Sequence, residues 1–518
     1  MNIRQHLQLA GSALLAILDP EQEWLPTGGW EVAHDMGRWW DAILRLEEAI
    51  GFVIPAELEA ASLRNLARLT DNPDRLLMNN PRIPWLSDRA VINPHNFREA
   101  LLTYGGLVRR RRNLWARQAG LQLVRSMARC LQPNGRLDLT RLACWGSVPY
   151  TADQSHWEEV QNSWFDGTAT SGRCLEALVW FYEATGEPAV LELARQIAGH
   201  HLRLSTSPDG SIRPEILSPQ NSGHDHSFHG TLRGLLLFGL LTGQKDMIEV
   251  VERTYRNGVR GKIVKESGWA PHDLGKTRFP NPYGDPVSDP ASTGDSAQLA
   301  LWLALRASCM DLLDDVERLV RARLLPAQLT PADVERNPGF TPSAREIGAW
   351  GIHAPTHAGK GCTPDVLAAV THSLCDIYTH ICTSTPAGLR VNLHLDYEDE
   401  RVKIESRRGT SACVSVWVKQ PGDLFLRIPQ WAPESSLRLE IDGKRAEIRH
   451  MGTTAWVGRD RLTIGSRVDL MYDLPTRETV EPMPSGRIYR FTWRGDEITA
   501  IDPQDGPLPF YPSNPALP

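Results

Sequence analysis

Apolar residues recur with a helical period along roughly the first three quarters of the chain. In segment 173–184, Leu175, Leu178, Val179 and Tyr182 follow the i, i+3, i+4, i+7 spacing of one helix face. Similar stripes lie at 41–50, 98–130, 188–203, 230–241, 296–313 and 363–382. The loops between them are rich in tryptophan, histidine, aspartate, glycine and proline. Many helices joined in pairs by such loops predict an α/α toroid with its functional site at one end.

Near residue 388 the pattern changes to short segments of alternating β-branched and apolar residues. Turn signals such as Pro421-Gly422-Asp423 and Asp442-Gly443 separate these segments. An all-β module of this length favours a sandwich. We therefore predict a mainly α protein with a helical barrel domain over 1–385, a β-sandwich over 386–500 and a proline-rich tail over 501–518.

Charge, apolar segments and cysteines indicate which partners and which cellular compartment to expect. The net charge of −6 over 518 residues is mild and mixed, and a helix would spread the cluster Arg109–Arg112 around a solvated surface, so nucleic-acid binding is not expected. The apolar stretch Leu7–Leu18 is interrupted by Gln8 and Gly11 and lacks a cleavage site, so it predicts an amphipathic helix. No segment has the roughly 18 apolar residues of a membrane span. Eight cysteines without CxxC pairs indicate a reduced compartment or buried thiols and not a disulfide framework, and we expect a cytoplasmic protein.

The first candidate motif joins two tryptophans to polar residues. His34, Asp35 and Arg38 stand beside Trp39 and Trp40. Aromatic faces stack on sugar rings, and the polar side chains hydrogen-bond hydroxyls or a carboxylate. We predict that His34, Asp35, Arg38 and Trp39 bind substrate. The alternative is that the tryptophans belong to the core and Asp35 caps the helix.

The second motif is Trp164-Phe165-Asp166-Gly167-Thr168, which comes shortly before a predicted helix. Such a turn would present Trp164 and Asp166 to a cleft. Asp166 is equally well interpreted as an ordinary residue of a helix N-terminal turn.

The third motif contains three histidines in six residues, His224, His226 and His229, before an apolar helix. Imidazoles suit substrate hydrogen bonding or proton transfer, and we predict the former. A transition-metal site is the alternative, but the spacing does not place a third ligand.

The fourth motif is Trp269 to Gly275, followed by further aspartates. Glycoside hydrolysis generally needs two carboxyl groups, one of them protonated. Asp273, near Trp269 and His272, is the predicted acid with a raised pKa, and Asp289 or Asp295 is the predicted partner. We expect Trp269 and His272 to contact substrate. The alternative is that the aspartates cap loops.

The order of motifs resembles the β-L-arabinofuranosidase family of glycoside hydrolases, family 127. The matching strings are His229-Gly230 with Arg233 and Thr242-Gly243, Asp315-Val316-Glu317-Arg318 through Leu325, Gly361-Cys362-Thr363-Pro364, Val391-Asn392-Leu393-His394 and Leu426-Arg427-Ile428-Pro429-Gln430-Trp431. The resemblance implies an (α/α)6 barrel followed by a β-sandwich, in agreement with the periodicity.

The resemblance also implies a zinc ion held by a Glu-x-Cys pair and a Cys-Cys turn whose first cysteine is the nucleophile. Asp289-Pro290-Ala291 stands at the position of the pair, and Gly361 stands where the nucleophile would be. Only Asp289 and Cys362 remain of four ligands. The sequence therefore predicts no metal, no cofactor and no thiolate nucleophile, and Cys362 is interpreted as a buried thiol.

Three functions fit these patterns. The leading hypothesis is a glycoside hydrolase that releases a terminal sugar from an oligosaccharide or glycan by carboxylate acid/base catalysis. The alternatives are a polysaccharide lyase or unsaturated-uronate hydrolase, in which Arg38, Arg98 and Arg213 meet a carboxylate, and a non-catalytic carbohydrate-binding protein. A glycan is the expected partner, and a homodimer the expected assembly.

Overall fold

The computed structural model of the protein describes residues 2–29, 31–79, 92–133, 135–145, 171–220, 222–339, 341–352, 360–504 and 508–512. The α-helices of these residues are, in chain order, α1 (Ile3–Ala16), α2 (Val32–Ile50), α3 (Ala56–Leu69), α4 (His95–Arg111), α5 (Leu114–Cys130), α6 (Cys174–Thr185), α7 (Pro188–Leu204), α8 (Asp225–Thr242), α9 (Lys245–Thr254), α10 (Pro290–Ala307), α11 (Leu313–Leu319), α12 (Pro331–Arg336) and α13 (Pro364–Thr379).

Helices α2, α4, α6, α8, α10 and α13 form a closed inner ring, because each contacts the next and α13 returns to α2. Outer helices pack on this ring: α1 on α13 and α2, α3 on α2, α5 on α4, α7 on α6, α9 on α8 and α11 on α10. This double ring confirms the predicted helical barrel.

The inner and outer helices differ in how much of their surface is buried. Every residue of α8 from Asp225 to Gly239 is buried, as expected of a helix enclosed on all sides. Helix α9 buries only the stripe Met247, Val251 and Thr254. The turn between the two helices is made by Gly243, whose φ of 69° is in the left-handed region that glycine favours at a helix C-terminus.

The barrel also contains four short strands, β1 (Leu18–Asp19), β2 (Leu25–Pro26), β3 (Ser222–His224) and β4 (Asp273–Gly275). Fourteen strands follow α13 within the described residues: β5 (Cys382–Thr385), β6 (Gly388–Val391), β7 (Tyr397–Glu398), β8 (Val402–Arg408), β9 (Ser411–Val418), β10 (Asp423–Arg427), β11 (Arg438–Ile441), β12 (Lys444–Ala446), β13 (Arg449–Met451), β14 (Thr454–Val457), β15 (Arg467–Asp473), β16 (Thr476–Pro482), β17 (Ile488–Arg494) and β18 (Glu497–Asp502).

Two of the C-terminal sheets form the predicted sandwich. One has the order β13-β14-β10-β6-β5 and the other β12-β11-β15-β9-β8-β7. Buried side chains of both, such as Leu426 and Val414, belong to one apolar cluster. The last helix of the barrel ends at Thr379 and the first strand of the sandwich begins at Cys382. The domain limits at residues 385 and 500 stay a prediction.

Arg427 attaches the sandwich to the barrel. Its buried guanidinium donates to the main-chain oxygen of Asn392 at 2.6 Å and also bonds the Asp314 and Glu317 carboxylates of α11. Three of the strings that carry the family resemblance therefore meet at this residue, those that contain Glu317, Asn392 and Arg427.

The third sheet, β16-β17-β18, returns to the barrel. Its aromatic residues Phe491 and Trp493 pack with Trp269 in a second apolar cluster. In the segment predicted to be a tail, Tyr511 is buried in this cluster and its hydroxyl donates to the Ala322 carbonyl. None of the described helices is both long and apolar enough to cross a membrane.

Candidate active site

The first turns of the inner helices meet at one end of the ring. His34 of α2 contacts Asn96 of α4, with 3.0 Å between Nδ1 and Oδ1. Arg173, at the start of α6, donates to Ser227 of α8 at 3.1 Å. His226 of α8 bonds the Asp295 carboxylate of α10. Because helix N-termini carry partial positive charge, this end of the ring suits the acidic side chains that lie there.

Histidine rings line this end in a row. The centroids of His34 and His95 lie 6.3 Å apart, those of His95 and His224 5.8 Å apart, and those of His224 and His272 4.6 Å apart. Burial lowers the pKa of His34 to about 4, and burial likewise lowers the pKa of His95 and of His224 well below the ordinary value. These three imidazoles are therefore neutral at pH 7.

Asp289 lies beside two of these histidines. One ring nitrogen of His224, one of His272 and a carboxylate oxygen of Asp289 lie within 4.8 Å of one another. Burial raises the pKa of Asp289 to about 7, although His272 opposes the shift. Two predicted substrate-binding residues and one predicted catalytic residue are thus brought together.

Asp35 and Asp365 are carboxyl groups with unused hydrogen-bonding capacity. Oδ1 of each is buried and has no hydrogen-bond partner among the described residues. Burial, and after it the negative charges of Asp365 and Glu31, raise the pKa of Asp35 well above its ordinary value. Buried polar atoms without protein partners mark a position where a polar ligand fits.

A layer of ion pairs lies beneath these groups. Glu99, which is completely buried, accepts from Arg38 at 3.2 Å, from Arg98 at 3.0 Å and from Arg173 at 2.7 Å. Arg98 also pairs with Glu176, with 2.5 Å between Nε and Oε1. This network fixes the helix starts relative to one another.

His226 belongs to this lower layer. Its Nδ1 bonds the Asp295 carboxylate, and its Nε2 lies 2.5 Å from the Arg38 guanidinium, which can only donate. Burial, and after it the charge of Arg38, lower the pKa of His226 well below the ordinary value. Asp295 also pairs with Arg233 at 3.0 Å. His226 and Asp295 are therefore held by protein partners on both sides.

The raised pKa expected for Asp273 is wrong. Burial alone would raise it, but hydrogen bonding to His272 and the charge of Arg278 lower the pKa of this carboxyl below its ordinary value. Asp273 accepts from the His272 ring at 2.9 Å, from Arg278 and from the Phe279 amide at 3.1 Å. A carboxylate held by so many donors is a poor proton donor.

Three residues predicted to contact substrate lie in the core instead. Trp39 is completely buried, and its indole Nε1 donates to the Leu14 carbonyl at 2.9 Å, so its face cannot stack on a sugar. Trp269 packs in the second apolar cluster. His229 is completely buried and pairs with Asp225 at 3.0 Å. Trp164 and Asp166 lie outside the described residues.

Sequence reasoning missed Asp365, His95 and Glu99. Each lies in the first turn or two of an inner helix, as the identified residues do. The sequence did contain a signal for this position. Pro94 directly precedes His95 and Pro364 directly precedes Asp365, and a proline at such a place is typical of a helix start.

No family model matches the sequence, and no curated protein matches it in a sequence search. The structure is similar to that of a GH127 β-L-arabinofuranosidase from Geobacillus stearothermophilus T6, with a TM-score of 0.56 and 14% identity over 96% of this chain and 80% of that chain. It is also similar to a second GH127 β-arabinofuranosidase, with a TM-score of 0.61 and 13% identity over 96% of this chain and 78% of that one. A third similar structure, described as a glycoside hydrolase, has a TM-score of 0.58 and 13% identity, covering 96% and 80% of the two chains.

The chain shares their fold.

The zinc site implied by the family resemblance does not fit these residues. Ala291 and Gly361 offer no ligand atom at two of the four positions. Cys362 Sγ lies 3.5 Å from the Arg345 carbonyl, to which it donates, and burial raises its pKa to about 12. A thiol that keeps its proton is a poor zinc ligand and a poor nucleophile. We therefore assign no step to a zinc–thiolate centre.

Proposed function

We propose that the chain is a glycoside hydrolase that releases a terminal sugar from an oligosaccharide or glycan, with Asp35 as general acid and Asp365 as general base. The observation that carries this proposal is the pair of buried carboxyl oxygens, one on each residue, without a partner among the described residues at the histidine-lined end of the ring. Glycoside hydrolysis generally requires two carboxyl groups in different protonation states.

Asp35 has the environment of an acid. Its side chain is buried, and its pKa is raised, first by burial and then by the charges of Asp365 and Glu31. A carboxyl whose pKa is raised keeps its proton to higher pH and can pass it to a leaving glycosidic oxygen.

Asp365 is the more accessible of the two carboxyl groups. It lies in the first turn of α13. Its side chain is only partly buried, so water can reach it. A water-accessible carboxyl group suits the activation of a water molecule.

The arginines required by the uronate alternative are engaged elsewhere. Arg38 is paired with Glu99, and Arg98 with Glu99 and Glu176, so both guanidinium groups already have buried carboxylate partners. Arg213 donates to the Arg203 carbonyl at 2.7 Å and lies near Glu215. These contacts favour a neutral terminal sugar over a uronate.

The proposal is tested with a panel of terminal glycosides that includes β-L-arabinofuranosides, other neutral sugars and unsaturated uronides. Nuclear magnetic resonance of the products gives the sugar and its anomeric configuration. We expect release of a neutral sugar, with kcat of Asp365→Asn about 100- to 10,000-fold lower. Near-ultraviolet absorbance of the product would indicate a lyase. Tight binding without turnover would indicate a carbohydrate-binding protein.

The pH dependence of kcat should change when Glu31 is replaced by glutamine. The charged groups acting on Asp35 are Asp365, Glu31 and Glu99, which raise its pKa, and Arg38, which lowers it. Activity falls as the pH rises through the pKa of the acid. Glu31→Gln removes one negative charge and lowers that pKa, so the alkaline limb of the kcat–pH profile moves to lower pH.

The control for this shift is Glu57→Gln, which removes a negative charge from the exposed first turn of α3. We expect its profile to match the wild type, because solvent screens the charge. An alkaline limb that stays in place in Glu31→Gln would contradict the role of Asp35 as acid.

We further propose that this hydrolase works in the cytoplasm. All eight cysteines are free thiols, which supports a reducing compartment. The homodimer stays a prediction, checked by light scattering of the purified chain.

A further inference from the structure

We propose that His224, His272 and Asp289 form a binding site for one divalent transition-metal ion, such as zinc or cobalt. One ligand atom from each residue lies within 4.8 Å of the other two. Two imidazoles and a carboxylate are a ligand set that such ions prefer. The set differs from the one implied by the family resemblance, because it contains no sulfur and shares only Asp289 with it.

His272 is oriented for coordination by its neighbour. Its Nδ1 lies 2.9 Å from the Asp273 carboxylate, which can only accept, so Nδ1 donates there and Nε2 is the nitrogen left for a metal ion. Asp273 is itself fixed by Arg278 and Phe279. A carboxylate that orients a histidine in this way is the usual second layer of a metal site.

In His224 and Asp289, too, one polar atom contacts the protein and the other is left for a metal ion. His224 Nδ1 lies 3.0 Å from the Ser227 hydroxyl, while its Nε2 lies 3.8 Å from Oδ2 of Asp289. Asp289 uses Oδ1 to accept from the Ala291 amide at 2.8 Å, which caps helix α10. His224 and Asp289 thus each use one polar atom in a contact with the protein, and their other polar atoms lie close to one another.

Main-chain hydrogen bonds hold the three ligand-bearing segments together. Strands β3 and β4 pair His224 with Asp273. The His272 carbonyl accepts from the Asp225 amide at 3.0 Å, and the Asp289 amide donates to the Ala270 carbonyl at 2.9 Å. The ligands are therefore held in place before any ion binds.

The spacing between His224 and Asp289 requires only a small contraction, and His272 offers a ligand atom within 4.8 Å of each of them. Ligand atoms about 2.0–2.2 Å from a zinc ion lie about 3–3.5 Å apart. The 3.8 Å between His224 and Asp289 would close by a few tenths of an ångström. Three protein ligands leave at least one position for water or a sugar hydroxyl. Metal binding at this site does not require that the chain be a hydrolase.

Metal binding is measured on the full chain after chelator treatment and dialysis. Calorimetric titration with Zn²⁺ is expected to give one ion per chain. With Co²⁺, we expect visible ligand-field bands and no near-ultraviolet thiolate-to-cobalt band. A wild-type chain that binds neither ion would overturn the proposal, and a thiolate band would do so by showing a cysteine as a ligand.

Variants identify the ligands. We expect His272→Gln and Asp289→Asn to bind Zn²⁺ at least about 100-fold more weakly, and Asp273→Asn, a positioning residue, about 10- to 100-fold more weakly. His95→Gln is the matched control, because His95 stacks on His224 but is not one of the three ligands. Equal weakening in His95→Gln and His272→Gln would overturn the assignment. Melting without metal checks folding, and the wild-type cobalt spectrum decides the question if a variant unfolds.

Discussion

Asp35→Asn is expected to lower kcat by about 100- to 10,000-fold and, at neutral pH, to make the protein more stable. Asparagine has the shape of the protonated carboxyl but cannot give up a proton to a leaving group. The raised pKa of Asp35 means that the folded chain keeps a proton which the unfolded chain releases. Stability therefore falls as pH rises from about 4, the ordinary Asp pKa, toward the folded pKa, and asparagine removes this penalty.

The expected gain in stability is about 0.5–2 kcal/mol at pH 7, and it should disappear below about pH 4. Urea unfolding at both pH values measures it, alongside kcat on the substrate found by screening. Asp246→Asn is the matched control: Asp246 lies in the exposed first turn of the outer helix α9, so neither quantity should change. A variant that loses activity and stability together would point to a structural role for Asp35 instead.

The fold could be predicted from the sequence because its signals are local and periodic. The helical stripe in 173–184 became α6, and the alternating segments that begin near residue 388 became strands such as β9. Helix periodicity does not say which helix is inner, since that depends on what packs on the opposite face. The packing of the last sheet on the barrel could not be predicted in this way, because only the folded structure places Trp493 against Trp269.

The site was predictable in part because its residues cluster at helix starts, where histidines and acids are conspicuous. His224, His272 and Asp289 were singled out, but 65 residues of sequence separate the first from the last, and pattern alone could not show that they meet. Trp39 was misassigned because an aromatic residue next to polar ones looks the same in sequence whether it faces a cleft or the core. Asp273 was misassigned because its donors, Arg278 and Phe279, approach it only through the loop fold.

Glu99→Gln is expected to destabilise the protein by about 3–5 kcal/mol, the largest stability effect that we predict. Glu99 is completely buried and shared by Arg38, Arg98 and Arg173. Burial alone would raise its pKa, but these three guanidinium groups hold the pKa well below its ordinary value. A neutral amide would leave their charges with less compensation in a site that water does not reach. Glu48→Gln is the control, since Glu48 forms surface pairs with Arg109 and Arg110 and its loss should cost less than about 1 kcal/mol.

The pH dependence distinguishes lost charge from lost packing. Because the folded pKa of Glu99 is depressed, its stabilisation is fully present above the unfolded value of about 4.3 and is lost as pH falls toward the folded value. The difference between the wild type and Glu99→Gln should therefore be constant above about pH 5.5 and shrink below it, as followed by urea midpoints across that range. A difference that persists unchanged in acid would show that glutamine disturbs packing and that the Glu99 charge is not the source of the stabilisation. Since the network fixes the starts of α2, α4 and α6, its loss should also weaken substrate binding before the barrel unfolds globally.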